Sequence, residues 1–406
     1  MVILVAQKKK KKKPIKLNKI LKKGVSNKSV KTMKLLAIIL VVLLLILIAA
    51  AQFGGVTFST VGDYFVSAIA KLGTGEGYPY SVNSVEIDDV CLTNSDLVLV
   101  YDSNVKVLNS TAKELSNIAH DYDYPVISTN SGRILLFDEG AKKFRVQSKT
   151  RVLYEKEMDH IILTGEMGKD GSVAIATRAD NAESMLTVFN SNREQVFAWK
   201  CAKEHIVSCD VSDNGKNYVV AVLGVNNGSV YTKVHIFNKN KTEPTATFEY
   251  TDSAIANVKF LSNETVMVMG NNVCEIIKGD EVKEKVDVSV NTTYQLFISD
   301  NNSAILVLSK YSSTTQKIIK VYNKSGKELF TQEIGGMVKS VSTDGKYVAV
   351  LTNSDVQMFT MKGKPCGSAE VNADAQKVLV NSRNTYVYSS DAITLYSSVG
   401  DNKDKD

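Results

Sequence analysis

The sequence predicts an all-β fold: an eight-bladed β-propeller of four-stranded antiparallel blades, preceded by a single transmembrane helix. Three observations lead to this prediction. Short apolar segments with period-2 alternation recur along the chain, tight turns separate them at regular intervals, and one long apolar segment follows a lysine-rich N-terminus.

The N-terminus differs in charge from the rest of the chain. Residues 1–34 contain thirteen lysines and no acidic residue, including the run from Lys8 to Lys13. The other 36 basic residues are opposed by 43 acidic residues, so the net charge of +6 describes no single part of the chain. We therefore expect a cytoplasmic tail that contacts anionic lipid, and we expect no nucleic-acid partner.

The segment from Leu35 to Ala51 has seventeen residues without a polar side chain, and its apolar character extends to Phe58. About 20 apolar residues span a bilayer, so residues 35–58 are predicted to form a membrane-spanning helix. Lysines on its N-terminal side alone predict that the N-terminus is cytoplasmic and the remainder extracytoplasmic, at the cell membrane. A cleaved signal peptide is the alternative, because Ala49 to Ala51 resembles a cleavage site.

Residues 59–79 are predicted to form a short connection between this helix and the β domain. Val61, Phe65 and Ile69 share one helical face, which suits an amphipathic juxtamembrane helix. The glycine-rich stretch 73–77 then reads as a flexible linker.

From residue 80 to residue 398 the chain repeats one unit. Eight turn signals recur at intervals of about 40 residues, the spacing of propeller blades, each between two apolar strands. They are Asn94-Ser95, Ser131-Gly132, Asp170-Gly171, Asn214-Gly215, Asn263-Glu264, Asn301-Asn302, Asp344-Gly345 and Ser382-Arg383. A third strand follows, and in four units it ends in an asparagine suited to a turn: Asn109, Asn190, Asn238 and Asn323. A fourth strand completes each blade. Seven blades is the alternative, because the fourth and fifth signals are widely separated.

The two ends of the repeat predict that the ring closes. The last unit supplies three strands only, including Ile393 and Leu395, before the polar tail 399–406. The alternating stretch Tyr80–Ile87, with Tyr80, Val82 and Val85, lies ahead of the first unit, so it is predicted to supply the missing outer strand and remove the free edge.

The blades resemble those of quinoprotein-like and WD-repeat-like propellers. The stretch VYNKSGKEL at 321–329 is similar to the outer hairpin of a quinoprotein-type blade, whereas the Gly-His and Trp-Asp pairs of WD repeats are absent. The order of lysine-rich tail, membrane helix, GTGEGYP at 73–79 and propeller is similar to that of an uncharacterised family of membrane-anchored bacterial propellers, a domain of unknown function. The resemblance implies the fold and the membrane anchor and carries no catalytic residue.

Binding is expected on one face of the ring, where the predicted connections 178–184, 224–232 and 310–315 are longest. Exposed tyrosines there are candidate anchors of a protein interface. The candidate residues on this face are His120, Tyr122, Tyr124, His160, Arg178, Asp180, His205, Asn226, Asn227, Tyr231 and Tyr311.

Metal, cofactor and catalytic sites are not predicted. His120, His160 and His205 precede the first strands of three neighbouring units, so either a shared metal or proton-linked site or separate hydrogen bonds within each blade would explain them. No CxxC spacing occurs among the five cysteines, which are expected to be buried apolar residues, with a Cys201–Cys209 disulfide as the alternative. A single tryptophan and no adjacent cysteine pair argue against a quinone cofactor.

The predicted function is a non-enzymatic, membrane-anchored extracytoplasmic propeller that binds a protein or a cell-envelope component. The alternatives are a propeller hydrolase or quinoprotein-type oxidoreductase with an axial site, and an envelope sensor that signals through its anchor. The enzyme requires charged side chains that converge on the propeller axis.

Overall fold

The computed structural model describes Ala70 and residues 73–82, 87–288, 294–298, 302–309, 316–382 and 384–397. The lysine tract, the segment from Leu35 to Ala51, Val85 and Tyr311 lie outside the described residues. Within those residues, no helix has both the length and the apolar character needed to cross a membrane.

Thirty-two strands in the described part of the chain form eight four-stranded antiparallel sheets, the eight blades of a propeller. Eight blades, and not seven, are therefore present. The wide interval between the fourth and fifth turn signals has a simple cause: the second and third strands of blade 4 have ten residues each.

Blades 1 to 4 use consecutive strands. Blade 1 contains β2 (Ile87–Thr93), β3 (Asp96–Tyr101), β4 (Asn104–Leu108) and β5 (Glu114–Ala119). Blade 2 contains β6 (Pro125–Asn130), β7 (Arg133–Asp138), β8 (Lys143–Ser148) and β9 (Val152–Glu157). Blade 3 contains β10 (Ile162–Met167), β11 (Val173–Ala179), β12 (Ala182–Phe189) and β13 (Gln195–Cys201). Blade 4 contains β14 (His205–Val211), β15 (Asn217–Asn226), β16 (Ser229–Asn238) and β17 (Ala246–Thr251).

Blades 5 to 7 continue in the same way, and blade 8 borrows a strand from the start of the domain. Blade 5 contains β18 (Ile255–Phe260), β19 (Thr265–Gly270), β20 (Cys274–Lys278) and β21 (Glu281–Lys285). Blade 6 contains β22 (Tyr294–Ile298), β23 (Ala304–Ser309), β24 (Gln316–Tyr322) and β25 (Glu328–Gly335). Blade 7 contains β26 (Val338–Thr343), β27 (Tyr347–Thr352), β28 (Asp355–Thr360) and β29 (Pro365–Glu370). Blade 8 contains β30 (Lys377–Asn381), β31 (Asn384–Tyr388), β32 (Ala392–Ser397) and β1 (Tyr80–Ser81).

The position of a strand within its blade determines the sequence pattern of that strand. Second strands such as β3 are buried along their whole length, because a neighbouring blade covers each of their two faces. They therefore read as uninterrupted apolar runs, as strands buried on both faces do. Fourth strands such as β21 alternate between exposed and half-buried residues, since only one of their faces is covered.

The four predicted asparagine turns join third to fourth strands. The Asn109 side-chain oxygen accepts the backbone N–H of Lys113 at 2.9 Å, and Asn323 accepts that of Lys327 at 3.1 Å. Asn190 accepts the N–H of Glu194 at 3.0 Å. The prediction that these residues form turns is confirmed, and the hydrogen bonds are the physical reason for asparagine there.

The ring closes as predicted. Tyr80 pairs with Ile393 and Ser81 with Ala392, so β1 is the outer strand of blade 8. The Val82 N–H then donates to the Asp391 carbonyl at 2.8 Å. Leu395 lies in the same strand, β32, and packs on the apolar cluster between blades 8 and 1.

The core consists of eight apolar clusters, one between each pair of neighbouring blades in the described part of the chain. The cluster between blades 3 and 4, for example, joins Leu186 and Val188 to Tyr218 and Val220. Burial of one such side chain contributes about 1.5–3 kcal/mol. Because every interface is apolar, the blades stabilise one another around the ring.

The strands reverse direction at two faces, which we name by their connections. The turn face carries the connections from first to second and from third to fourth strands. The loop face carries those from second to third strands and from each fourth strand to the next blade. The predicted long connections 178–184 and 224–232 are wrong as loops, because β11 pairs with β12 up to Ala179–Ala182, and β15 with β16 up to Asn226–Ser229. Asn227 and Gly228, both with positive φ (50° and 83°), form the tight two-residue turn that such a hairpin requires.

Candidate functional site

A cavity of about 630 Å³ lies on the propeller axis and is lined by the first strands of all eight blades. Its lining includes turn-face residues such as Asn94 and Asp344, so the cavity reaches that face. One part of the wall carries hydroxyl and amide side chains, Ser128 to Asn130, and another carries Phe297 and Val341. A volume of this size is typical of small-molecule sites, roughly 300–1,000 Å³.

Three charged side chains from neighbouring blades converge in this cavity. Glu166 on β10 forms a salt bridge with Lys259 on β18, and the Ser128 hydroxyl donates to the second Glu166 oxygen at 2.7 Å. Asp210 lies on β14, the first strand of the blade between them. Its two carboxylate oxygens accept the backbone N–H groups of Val211, at 2.9 Å, and Phe260, at 2.7 Å.

The electrostatics of this cluster raise the pKa values of both Asp210 and Lys259. Burial raises the pKa of Asp210, Lys259 opposes the rise, and the like charge of Glu166 adds to it. Burial by itself lowers the pKa of Lys259, but Glu166 and Asp210 outweigh that effect and raise the pKa above its ordinary value. Two carboxylates therefore share one ammonium group in this part of the cavity.

Two further polar groupings surround the cavity. Lys377 on β30 is paired with Asp89 on β2, on the side of the ring where blades 8 and 1 meet. At the turn face, the Lys169 ammonium lies 3.0 Å from Asp213 and 2.7 Å from the Asn302 side-chain oxygen. Because these residues belong to turns of blades 3, 4 and 6, their contacts narrow the mouth of the cavity.

The three histidines singled out by the sequence do not come together. The His120 ring contacts the Tyr101 carbonyl at 2.9 Å, His160 lies 3.5 Å from Asp180, and His205 lies 3.3 Å from Glu183. Burial lowers the pKa of His120. Among the described residues, no three His, Cys, Asp or Glu side chains are placed to hold a metal ion.

The candidate tyrosines have different environments. Tyr122 is buried between blades 1 and 2, where the Arg145 guanidinium lies 5.9 Å from its ring, so it is not available as an exposed anchor. Tyr124, two residues later, is 73% exposed on the loop face. Tyr231 donates from its hydroxyl to Glu204 at 3.0 Å, and its ring covers Gly224 on the paired strand.

The other candidates lie on the loop face. Arg178 and Asp180 are exposed beside the turn between β11 and β12. Asn226 and Asn227 are exposed at the tip of the hairpin formed by β15 and β16.

The cysteines, all within the described residues, form no disulfide, and Cys201, Cys209 and Cys274 are buried.

The charged side chains of the cavity were not predicted as a site, although the sequence contains a signal for them. Glu166, Asp210 and Lys259 each stand four residues before the turn signal of their own blade, at Asp170, Asn214 and Asn263. Equivalent positions in neighbouring first strands face the axis together. A charged residue at one such position in three consecutive blades therefore marks the wall of the axial cavity.

Comparison with known proteins relates the chain to one sequence family and to several solved structures. The sequence profile of a family of unknown function (DUF5711) matches residues 80–394. The C-terminal WD40 domain of Sif2 is 12% identical, with a TM-score of 0.52, over 80% of this chain and 100% of that chain. BamB from Moraxella catarrhalis is 9% identical, with a TM-score of 0.48, over 79% of this chain and 99% of that chain. The Cps50 (Swd1) β-propeller domain of Myceliophteria thermophila is 10% identical, with a TM-score of 0.46, over 78% and 99%. No curated protein matches the sequence.

Proposed function

The chain belongs to this family of unknown function, and we propose that it is a non-catalytic binding propeller whose protein partner docks on the loop face. We further propose that the segment from Leu35 to Ala51 holds it in the cell membrane, with the N-terminus in the cytoplasm and the propeller outside. The distribution of lysines supports this orientation, because thirteen lysines lie in the 34 residues before the apolar segment and no lysine or arginine occurs in residues 52–70 after it.

One observation carries the docking proposal: the hairpin of β15 and β16 projects beyond its blade. Both strands have ten residues, and no other strand in the described residues has more than eight. The neighbouring strand β14 pairs with β15 only up to Leu223, and β17 pairs with β16 only up to Tyr231. Residues 224–230 therefore extend past both neighbours.

The projecting tip presents apolar side chains to solvent. Val225 is 69% exposed and lies directly opposite Val230, so the two form one apolar pair on the same side of the hairpin. Tyr124 and Met337 lie on the same face of the ring, in two connections between blades, and Met337 is 60% exposed. Exposed apolar side chains gathered on one face are typical of protein-interaction surfaces.

The base of the hairpin is held in place by a polar cluster. Glu204 accepts a hydrogen bond from the Tyr231 hydroxyl at 3.0 Å and pairs with Lys233 at 3.2 Å. A side chain on Gly224 would meet the Tyr231 ring at 2.5 Å, so glycine permits the ring to lie across the paired strand. A hairpin anchored in this way is ordered before a partner arrives, which lowers the entropy lost on binding.

The fixed partners of the axial charges support binding rather than catalysis. Glu166 is held by Lys259 and Ser128, and Asp210 by two backbone N–H groups.

An axial enzyme is the second candidate function, because an enzyme of this kind requires charged side chains that converge on the axis. Loss of a measured turnover in the Glu166→Gln variant would favour the enzyme, whereas turnover that is absent or unchanged supports the binding module.

A photo-crosslinking amino acid placed at position 225 of the full-length protein in its native membranes tests the docking surface. We expect one discrete protein adduct from position 225 and none from position 196 on β13. Val196 is the matched control, since it is 40% exposed on the outer edge of blade 3.

The variant Val230→Glu should abolish the adduct from position 225 without a change in thermal unfolding, because a charge opposite position 225 disrupts apolar contact at an exposed site. Val196→Glu should leave the adduct intact. Equal crosslinking from both positions, or an adduct that survives Val230→Glu, would refute docking through the hairpin.

A further inference from the structure

The axial cavity has a charge distribution that a bound ligand would complete. Four carboxylates line it, those of Glu166, Asp210, Asp213 and Asp344, against two ammonium groups, those of Lys259 and Lys377, and Asp213 is paired with Lys169 at the turn face. Lys377 forms a salt bridge with Asp89, and Lys259 forms one with Glu166. Asp210, 7% exposed, therefore has no cation of its own among its hydrogen-bond partners in the described residues.

A buried acceptor without a hydrogen-bond partner in the described part of the chain lies on the same strand as Lys259. The Asn257 side-chain oxygen is buried and has no hydrogen-bond partner among the described residues. Asn257 lies two residues before Lys259 on β18, so their side chains project from the same side of the strand. A buried acceptor without a donor destabilises the protein, and a ligand that donates hydrogen bonds would offset part of that loss.

We propose that the axial cavity binds a small molecule bearing a protonated amine, whose ammonium group contacts the carboxylates of Glu166 and Asp210. An ammonium supplies both of the missing elements, a positive charge and several N–H donors. The Ser128, Thr129 and Asn130 side chains in the adjoining wall would accept or donate to polar groups elsewhere in the ligand.

Other ligand classes fit the cavity less well. A divalent metal would need at least three suitable ligands in one place, and the described residues offer no such group. An anion would compete with Glu166 and Asp89 for lysines that are already paired. A lysine side chain of a protein would have to pass the narrowed mouth formed by Lys169, Asp213 and Asn302, which a small amine can do more readily.

A proton is the natural competitor of such a ligand. The charged groups that face Asp210 are Glu166 on β10 and Lys259 on β18. Burial raises the pKa of Asp210, so the empty site holds a proton there more readily than an ordinary aspartate does. The amine therefore displaces a proton when it binds, and its affinity rises with pH.

Isothermal titration of the full-length protein in detergent with n-pentylamine tests the proposal, with 1-pentanol as the neutral probe of the same length. We expect saturable binding of the amine, no binding of the alcohol, and a heat that depends on the ionisation enthalpy of the buffer because a proton is released. Glu166→Gln and Asp210→Asn should each weaken binding by about tenfold, the equivalent of 1.4 kcal/mol. Lys377→Met should not weaken it.

Asn257→Leu keeps the test decisive if Asp210→Asn does not fold. It removes a neutral acceptor and should weaken binding of the amine several-fold, while the release of a proton on binding persists. Equal binding of pentylamine and pentanol, unchanged affinity in Glu166→Gln, or tighter binding of a lysine-containing peptide than of the amine would overturn the proposal. Val230→Glu should bind the amine normally, so failure of the docking hairpin and failure of this site are distinguishable.

Discussion

Aspartates at equivalent turns of different blades have different hydrogen-bond and salt-bridge partners. The Asp344 carboxylate accepts the N–H groups of Lys346 and Tyr347, both at 2.8 Å, and so stabilises its own turn. Asp213 instead pairs with Lys169 across two blades. The sequence explained the turn role of Asp344 but not the contact of Asp213, because a contact between turns of different blades depends on ring geometry that no local pattern encodes.

Asp210 gives the stability of the protein a distinctive pH dependence. Its pKa in the folded protein is raised by burial, whereas an unfolded aspartate titrates near pH 4. The stabilising effect of its bound proton is thus fully present below about pH 4 and is lost as the pH rises toward the folded-state pKa.

We therefore expect the free energy of unfolding of the wild type, relative to that of Asp210→Asn, to fall between about pH 4 and neutrality. Urea unfolding of both proteins at a series of pH values measures this difference. The Asp123→Asn variant serves as a control, since Asp123 is exposed in a connection between blades. A difference between wild type and Asp210→Asn that stays constant with pH would contradict the raised pKa.

Among the elements, the first strands are joined by side chains that reach the next blade. The Ser340 hydroxyl accepts the N–H of Val378 at 3.2 Å, and Ser342 accepts that of Val380 at 3.0 Å. Ser208 and Asp210 accept backbone N–H groups of β18 in the same way. These bonds satisfy backbone N–H groups that face another blade rather than a partner strand.

Replacement of these serines should loosen the junction between blades 7 and 8. Ser340→Ala and Ser342→Ala each leave one N–H without its acceptor, and each should lower the free energy of unfolding by about 1–2 kcal/mol. Ser368→Ala on the outer strand β29 is the matched control, because Ser368 is exposed, and should change stability by less than about 0.5 kcal/mol. Chemical unfolding of the three variants provides the comparison, and an equal loss in Ser368→Ala would contradict the role assigned to the inner pair.

Elements were more predictable from the sequence than sites were. Turn pairs such as Asn94-Ser95 and turn residues such as Asn109 have local chemical causes, so their period predicted eight blades and their strands. The hairpin at Asn227-Gly228 was taken for a loop, although an Asn-Gly pair between alternating residues signals a tight hairpin. The axial cluster needed more than local rules, because Glu166 and Lys259 meet only when three first strands are placed side by side.

At the scale of the whole molecule, the short strand β1 connects the beginning of the propeller to its end. Val82, 2% exposed, packs in the cluster between blades 8 and 1 together with Leu379 and Ile393 of blade 8 and Leu97 of blade 1. The Tyr78 ring also lies 5.2 Å from that of Tyr386 in blade 8. A ring held at this junction by two paired residues and a few buried side chains has its most vulnerable interface there.

Val82→Asp should therefore open the ring at one place. An unpaired carboxylate in this apolar cluster should lower the free energy of unfolding by roughly 2–4 kcal/mol, whereas Ser81→Asp, at an exposed position in β1, should have little effect. Hydrogen exchange should accelerate in β30 to β32 and in β2 and β3, the strands on the two sides of the junction, before it changes in blades 3 to 5. Such a gradient is expected only if closure by β1 stabilises the ring locally, since blades far from the junction keep both of their apolar interfaces. Uniform acceleration of hydrogen exchange in all blades, or equal effects of the two aspartate substitutions, would mean that β1 does not stabilise the closure of the ring.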